Sequence, residues 1–568
     1  MNTTSESAST SETTVPGLVA FPEEAVRRYR AAGVWSDRTL AQEFRAVADR
    51  HPDRLAVITP GARLSYAELD RRTDRIAVGL RDLGLLPGDR VLLQVTNHVW
   101  SVLAWYGILK AGLVPIATLA LHRRHEILEI ARQSEPAAHL IEPGFRSHDL
   151  VGLATEVAKE QPTLRRLLTI GTAMAPAGAI ALESLESTGR AEDPAAARAV
   201  VEEIQRAVPG DALAVLQLSG GTTNIPKLIP RLHTEYWYNA RTYAEAIDLD
   251  ATGTVAHLLP MVHNAGIVCA LHAAHSVGGC VAVAAPDPAQ FKAIAPDITH
   301  TMVSPALAAM VTKDPELFDS LAGLRRLVWV NGPLTADIVE KFETPSRTII
   351  QMFGMGEGMC MATPAAAPAE IRHRTVGTPI GPFDEVRVYA PGTEEPVPPG
   401  TPGELCARGP VTIRGYFQAS ERNAEAFTSD GFYRTGDIVV EVPHGGRSFY
   451  RLEDRIKDLI NRGGEKVNAA EVENLLVRHP AVDRAALVAM PDERLGERAC
   501  AFIVPKAGAQ APDLGEVQRY LDGIGVAKFK WPERIEPVDA FPLTNISKVD
   551  KRALRTRITE ILAAENDR

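Results

Sequence analysis

The chain is poor in cysteine, with five in 568 residues: Cys269, Cys280, Cys360, Cys406 and Cys500. They are scattered, odd in number and include no CxxC pair. That spacing speaks against a disulfide framework and against a zinc site, and predicts reduced thiols. An excess of basic charge is also missing: the formal net charge is -10, which argues against nucleic acid or an anionic membrane as the main partner. No long apolar run is unbroken. The most apolar stretch, VWSVLAWYGILKAGLVPIATLAL (Val99 to Leu121), is interrupted by Lys110, Gly112 and Pro115. It reads as a buried helix, a turn and a buried strand, not a membrane span. The first residues, MNTTSESASTSETT, lack a basic region followed by an apolar core. They do not read as a signal peptide, and residues 1–15 are expected to be a disordered tail. A cytoplasmic protein is the expectation.

What is present is ordinary globular material, 45% hydrophobic and 23% charged, in a chain too long for one core. Short apolar runs alternate with helical ones. Leu55 to Thr59 and Arg90 to Val95 read as strands around a helix near Tyr66 to Leu83, and Ala138 to Ile141 as another strand. Such alternation predicts an α/β fold of mainly parallel sheets covered by helices. Pro176 to Val200, alanine-rich with mixed charge, reads as a surface excursion. After about Gly377, dense Pro and Gly (Ala390 to Leu405) predict a β-rich subdomain of short antiparallel strands. A boundary is expected within Asp454 to Lys457. It divides residues 16–456 from a small mobile α+β domain at 457–568, with helices near Asn468 to His479 and Leu514 to Ile524 and a strand near Ala485 to Met490.

The stretch LQLSGGTTNIPKLIPR (Leu216 to Arg231) carries Ser219, Gly220, Gly221, Thr222, Thr223 and Lys227 in one loop. Glycines let backbone N–H groups turn into an anion-binding nest, hydroxyls add donors and lysine adds charge. It is not a Walker A loop, because Pro226 precedes the lysine and Leu228 follows it. On its own the loop is a moderate signal for phosphate binding, with an ordinary polar turn after a strand as the weaker alternative. Four more stretches accompany it: QMFGMGEGM with Glu357, GFYRTGDI with Asp437, DRIKDLINRGGEKV with Arg455, and PLTNISKVDK with Lys548.

In this order the five stretches resemble the adenylate-forming superfamily of acyl-CoA synthetases, peptide-synthetase adenylation domains and luciferases. The resemblance runs over roughly Leu40 to Leu562. LSGGTTNIPKLIPR, HNAGIVC (His263 to Cys269), FGMGEG and INRGGEKVNAAEVE narrow it to stand-alone aryl-acid adenylating enzymes that activate 2,3-dihydroxybenzoate or salicylate for siderophore and antibiotic assembly lines. The resemblance implies ATP and Mg²⁺ as cofactors. It implies that the opening loop holds the β- and γ-phosphates, that Glu357 helps bind Mg²⁺, and that Asp437 accepts from the ribose hydroxyls with Arg455 in support. It places Gly332 in the adenine-facing segment and Lys548 as the catalytic lysine. Lys457 falls at the family's hinge, and Gly463 and Gly464 at its thiol channel.

For the acid, the resemblance points to His263, Asn264, Ala265, Cys269, Met352 and Gly354. Ala265 stands where a bulky aromatic is usual. Cys269 stands where dihydroxybenzoate enzymes carry serine and salicylate enzymes cysteine; a thiol is a weak donor. A salicylate-like 2-hydroxy or 2-amino aryl acid is therefore expected. Asn224 and Ser547 replace the family's usual glycines. Three readings stay open at this point: a ligase that loads the phosphopantetheine thiol of an aryl carrier protein, an aryl-coenzyme A ligase, and a nucleotide-binding sensor or pseudo-enzyme. The oligomeric state is not legible.

Overall fold

The computed structural model describes residues 15–145, 149–171, 175–187, 189–219, 227–332, 334–455, 460–462, 465–492, 495–524, 526, 528–544 and 548–566. Two large sheets dominate. The nine-stranded sheet runs Thr378–Pro379, Cys360–Ala362, Thr348–Gly354, Arg326–Trp329, His300–Val303, Thr254–His257, Cys280–Val283, Leu55–Thr59, Ala62–Ser65. Its middle is parallel and its two ends antiparallel. The seven-stranded sheet runs Ile180–Ala181, Arg166–Thr169, Ala138–Ile141, Arg90–Gln94, Val114–Ile116, Leu213–Leu218, Leu228–Leu232. It is parallel except for the last pair. Strands such as Ala138–Ile141 and Thr254–His257 are buried throughout, as parallel strands covered on both faces must be.

Local chemistry sets the covering helices. Thr39 and Ser65 each close a capping box, with Gln42 and Glu68, at the starts of Leu40–Arg50 and Tyr66–Asp82; such caps supply partners for otherwise orphaned N–H groups. Val99–Lys110 is apolar on nearly every side and almost wholly buried, so the expected helix and strand form where the sequence reading puts them. Lys110, fully buried, donates to Asp70 Oδ1 at 2.5 Å and Asp74 Oδ1 at 2.8 Å, and Arg45 joins both carboxylates. The lysine thus breaks the apolar run without leaving an unpaired charge, the costly case for a buried ion.

Pro176 to Val200 lies largely at the surface, as its composition predicts, but a few small and apolar side chains anchor it to the body. Leu182, Leu185, Ala191 and Ala197 are buried, and Leu185 lies against Gly79, where a Cβ would come within 2.6 Å of it. In the helix Pro194–Arg206, Ala197, Val201 and Gln205 form one buried stripe at spacing four. The mixed charges occupy the other face.

The β-rich subdomain is a four-stranded antiparallel sheet, Glu385–Tyr389, Pro402–Arg408, Tyr433–His444, Arg447–Arg455. A fourth sheet follows it in the chain: Glu465–Val467, Ile460–Arg462, Gly496–Pro505, Val482–Asp492, with Arg534–Pro537 on Gly496–Pro505. One face buries Val472, Leu476, Val517 and Leu521; the other buries Phe502, Leu554 and Ile558. All five cysteines are free and buried. Among the described residues no helix is long and apolar enough to cross a membrane.

Candidate active site

The carboxyl ends of the parallel strands feed the loops that carry the candidate residues, the place where open α/β sheets present ligands. Leu213–Leu218 delivers Ser219. The Ser219 N–H donates to Lys227 O at 3.0 Å, and the Lys227 N–H donates to Ser219 Oγ at 3.1 Å. These bonds close the base of the loop for which the sequence predicts phosphate binding. Gly220, Gly221, Thr222, Thr223 and Asn224 lie outside the described residues, so the nest itself is not seen. The Lys227 ammonium sits 4.5 Å from the centre of the Tyr416 ring, a cation–π distance.

Tyr416 leads to the next candidate. Its hydroxyl donates to Glu357 Oε1 at 2.6 Å and lies 2.9 Å from the Tyr433 hydroxyl. The backbone around Glu357 is fixed as well. Arg231, fully buried, makes a two-pronged ion pair with Glu235 (2.8 and 2.6 Å) and donates to the carbonyls of Gly356 at 2.8 Å and Val411 at 3.2 Å. The Ile413 N–H donates to Glu357 O at 2.9 Å, and Asn239 Nδ2 to Gly358 O at 3.1 Å. Gly358 has φ +129°, and a Cβ there would fall 1.5 Å from Val411 O. Glycine is therefore required one residue after the carboxylate. The donor set suits Mg²⁺: one buried carboxylate facing the phosphate side, rather than an all-protein cage, matches an ion that shares its oxygens with phosphates and water. Among the described residues no cluster of three His, Cys, Asp or Glu could hold a metal on its own.

Asp437 is 4% exposed, on the strand Tyr433–His444, and opposite Arg455 in register. Its N–H donates to Thr435 Oγ1 at 3.0 Å, and that hydroxyl donates to Leu405 O at 2.8 Å. The Arg455 side chain lies outside the described residues. At Gly332 the carbonyl accepts from Trp329 Nε1 at 2.8 Å, and Asn331 before it takes φ +65°, a left-handed angle that Asn tolerates.

The acid side is built on the start of a helix. His263 caps it, its Nδ1 accepting from the Ala265 N–H at 3.3 Å. Burial, with help from the nearby Lys548 charge, lowers the His263 pKa to about 4. The imidazole is therefore neutral near pH 7. Lys548 is set in a tight loop: Thr544 N–H donates to Lys548 O at 2.7 Å and Lys548 N–H to Thr544 Oγ1 at 3.1 Å.

Asn264 is held by a chain whose proton directions can be deduced. Gln217 faces the Val262 carbonyl at 3.3 Å, so the atom there must be its NH₂. The same Nε2 donates to the Tyr236 hydroxyl at 3.0 Å. Tyr236 therefore sends its own proton to Asn264 Oδ1 at 2.9 Å. The Asn264 amide is thereby oriented with its oxygen engaged, and its NH₂ is the end left to donate. Tyr236 is fully buried and its pKa is raised by that burial, so the proton stays on.

Cys269 lies in a π-helical turn, Ile267–His272, a rare geometry often found at functional sites. Burial pushes its thiol up to about 12, so it is a neutral, weakly polar group in the core. Ala265 is half-buried against the same core. Met352 and Gly354 end the strand Thr348–Gly354, and a Cβ at Gly354 would lie 3.3 Å from Met352 Cε.

The structure thus brings together Ser219 and Lys227 directly, and Lys227 and Glu357 through Tyr416. Lys457, Gly463 and Gly464 lie outside the described residues. The sequence reading did not single out Tyr416, Tyr433, Arg231, Gln217 or Tyr236, which hold the candidate residues in place. Arg231 and Glu235 at spacing four, and the tyrosine of GFYRTGDI, were the available signals.

The chain belongs to the AMP-binding enzyme family: the family model matches residues 44–417, and the model for the AMP-binding enzyme C-terminal domain matches 471–548. Among its relatives is pyochelin synthase PchD of Pseudomonas aeruginosa, 41% identical over 96% of this chain and 97% of that one. Another is the salicyl-AMP ligase / salicyl-S-ArCP synthetase of Mycobacterium tuberculosis, 38% identical over 95% and 94%. The apo structure of Mycobacterium smegmatis MbtA superposes with a TM-score of 0.68, at 37% identity and over 95% and 99% of the two chains.

Proposed function

We propose that the protein joins a 2-hydroxy aromatic acid such as salicylate to AMP, releasing pyrophosphate, and passes the aryl group to a phosphopantetheine thiol of an aryl carrier protein in siderophore or antibiotic biosynthesis in the cytoplasm. The observation that carries the reading is the oriented Asn264 amide next to the neutral His263. The NH₂ of Asn264 donates to the oxygen of a 2-hydroxyl. His263 adds no charge to compete with the carboxylate. Lys548 brings a point charge to the carboxylate and α-phosphate, where negative charge grows in the transition state.

On the nucleotide side, Lys227 and the hydroxyls and N–H groups of Ser219, Thr222 and Thr223 face the outer phosphates. Glu357 holds Mg²⁺, which supplies charge neutralisation there when bound. Asp437 accepts from the ribose hydroxyls, with Arg455 in support, and Gly332 lets the adenine lie against backbone. Cys269, Ala265, Met352 and Gly354 line the ring. Residues 16–456 form the domain that binds both substrates, and residues 457–568 a mobile domain that turns about Lys457. The turn withdraws Lys548 and opens a thiol channel at Gly463 and Gly464, so one site serves two half-reactions. The name of the M. tuberculosis relative, a salicyl-S-ArCP synthetase, supports a carrier protein as the acceptor, and that of a Streptomyces relative, a salicylyl-CoA synthase, keeps coenzyme A as the alternative.

ATP–pyrophosphate exchange over a panel of benzoates, picolinates and quinaldates tests the reading, followed by transfer to a carrier protein and to coenzyme A. Exchange with salicylate is the expected result. Exchange with no aromatic acid in the panel would refute the proposal.

A further inference from the structure

Tyr416 occupies the junction of three segments that the ATP site draws on. Its neighbour Phe417 donates its N–H to Leu228 O at 2.9 Å, one residue beyond Lys227. Ile413, on its other side, donates to the backbone carbonyl of Glu357. Asn423 clamps both backbone groups of Tyr416: Oδ1 accepts from its N–H at 2.8 Å, and Nδ2 donates to its carbonyl at 3.1 Å. The residue is 1% exposed. Its backbone is therefore fixed before the side chain makes any contact.

The side chain then does two separable things. The face of its ring meets the Lys227 ammonium at 4.5 Å, and its hydroxyl donates to Glu357 Oε1 at 2.6 Å. Because the Tyr416 proton goes to the carboxylate, Tyr433 is the donor in the 2.9 Å bond between the two hydroxyls. The order is Tyr433 to Tyr416 to Glu357, a chain in which each bond polarises the next.

We propose that Tyr416 is a positioning residue that couples Lys227 to Glu357, one rigid side chain setting the separation between the cation that faces the phosphates and the carboxylate that faces the metal. The inference rests on the nucleotide-site reading given above. The two functions sit on different parts of the residue. Phenylalanine keeps the ring face for Lys227 and deletes the bond to Glu357; leucine deletes both.

The test uses the full-length protein with Mn²⁺ and ATP and without an aromatic acid, so that binding is read rather than turnover. Calorimetry gives the ATP affinity, and electron paramagnetic resonance of free Mn²⁺ gives the metal affinity. Tyr416→Phe is expected to raise the half-saturating Mn²⁺ concentration roughly tenfold, the scale of one hydrogen bond to a charged group. ATP affinity in EDTA should stay within about twofold, on the same reasoning. Lys227→Ala and Glu357→Gln are then combined. In the Tyr416 background their joint loss of Mn²⁺·ATP affinity should depart from the product of the single losses by about threefold or more. In the Tyr416→Leu background the losses should multiply. A purely structural tyrosine would change thermal melting but not this dependence on background. Unchanged Mn²⁺ affinity in Tyr416→Phe would overturn the proposal, as would simple multiplication already present in the Tyr416 background. Should Tyr416→Leu fail to fold, the Tyr416→Phe metal titration decides alone. Wild-type protein that binds Mn²⁺·ATP yet exchanges pyrophosphate with no aromatic acid sinks the substrate reading and leaves the coupling standing; wild-type protein that binds no Mn²⁺·ATP sinks both.

Discussion

Replacing Tyr236 with phenylalanine removes a single oxygen two layers from the substrate, and should nevertheless change which acid is chosen. In the native chain the Val262 carbonyl fixes Gln217, Gln217 fixes the direction of the Tyr236 hydroxyl, and Tyr236 takes up Asn264 Oδ1. The Asn264 NH₂ is thereby turned to donate, which suits a 2-hydroxyl oxygen and not a 2-amino group. Without the hydroxyl, Asn264 is free to flip and present its oxygen instead. A neutral hydrogen bond contributes about 0.5–1.5 kcal/mol net, and about 1 kcal/mol corresponds to roughly fivefold in a rate or binding ratio. The ratio of kcat/KM for salicylate over anthranilate, measured by pyrophosphate exchange, should fall by about that factor. The phenylalanine ring keeps the packing against His272 and the face presented to Arg231, so kcat with saturating salicylate should change little. A salicylate-to-anthranilate ratio equal to that of the wild type would refute the argument, because it would mean that the amide is oriented by something other than this chain.

Other outcomes follow from the same geometry. Lys548→Ala should slow adenylation by about 10²–10³-fold, while thiol transfer from a preformed aryl adenylate is much less affected; equal loss of both half-reactions would count against Lys548 leaving the site. Cys269→Ser should raise kcat/KM for 2,3-dihydroxybenzoate relative to salicylate by roughly tenfold, since an under-satisfied polar group costs about 1–3 kcal/mol; an unchanged ranking in exchange assays would refute the pocket assignment. Gly358→Ala should cost more than about 3 kcal/mol, because strained φ and a clash with Val411 O combine there; a melting curve like that of the wild type would contradict the backbone geometry. Burial lowers the pKa of His122, His139, His233, His257, His263, His272, His275 and His300 to about 3–4. Each binds a proton more readily unfolded than folded, so stability is held above about pH 6.5 and lost as pH falls toward 4, by up to about 1.4 kcal/mol per histidine per pH unit. Thermal melting that does not change between pH 7 and pH 5 would refute this.

Much of the architecture was written in local pattern. Ala138–Ile141 and Val99–Lys110 formed where apolar runs of the right length were bounded by turn residues. What the sequence left illegible in Pro176 to Val200 is its anchoring, because alanine carries little hydrophobic signal, although Ala197 begins a buried stripe that Val201 and Gln205 continue at helical spacing. The candidate site was legible as motifs but not as a machine. Tyr416 meets Glu357 and Lys227 only through the fold, and hydrogen-bond direction along Gln217, Tyr236 and Asn264 depends on a backbone carbonyl that no side-chain pattern announces.

The π-helical turn Ile267–His272 has a consequence for how the pocket could change over generations. Such a turn holds one residue more than the α-helix around it needs, so losing a residue there restores regular winding instead of breaking the helix. Because the surplus residue is taken up within the wide turn, the helix on either side would keep its facing, and the deletion would change only which side chains the turn itself presents. Removing Val268 should leave a folded protein in which the side chains of Ile267–His272, Cys269 among them, change their facing. In this protein a length change, and not only a substitution, is a route to a new acid.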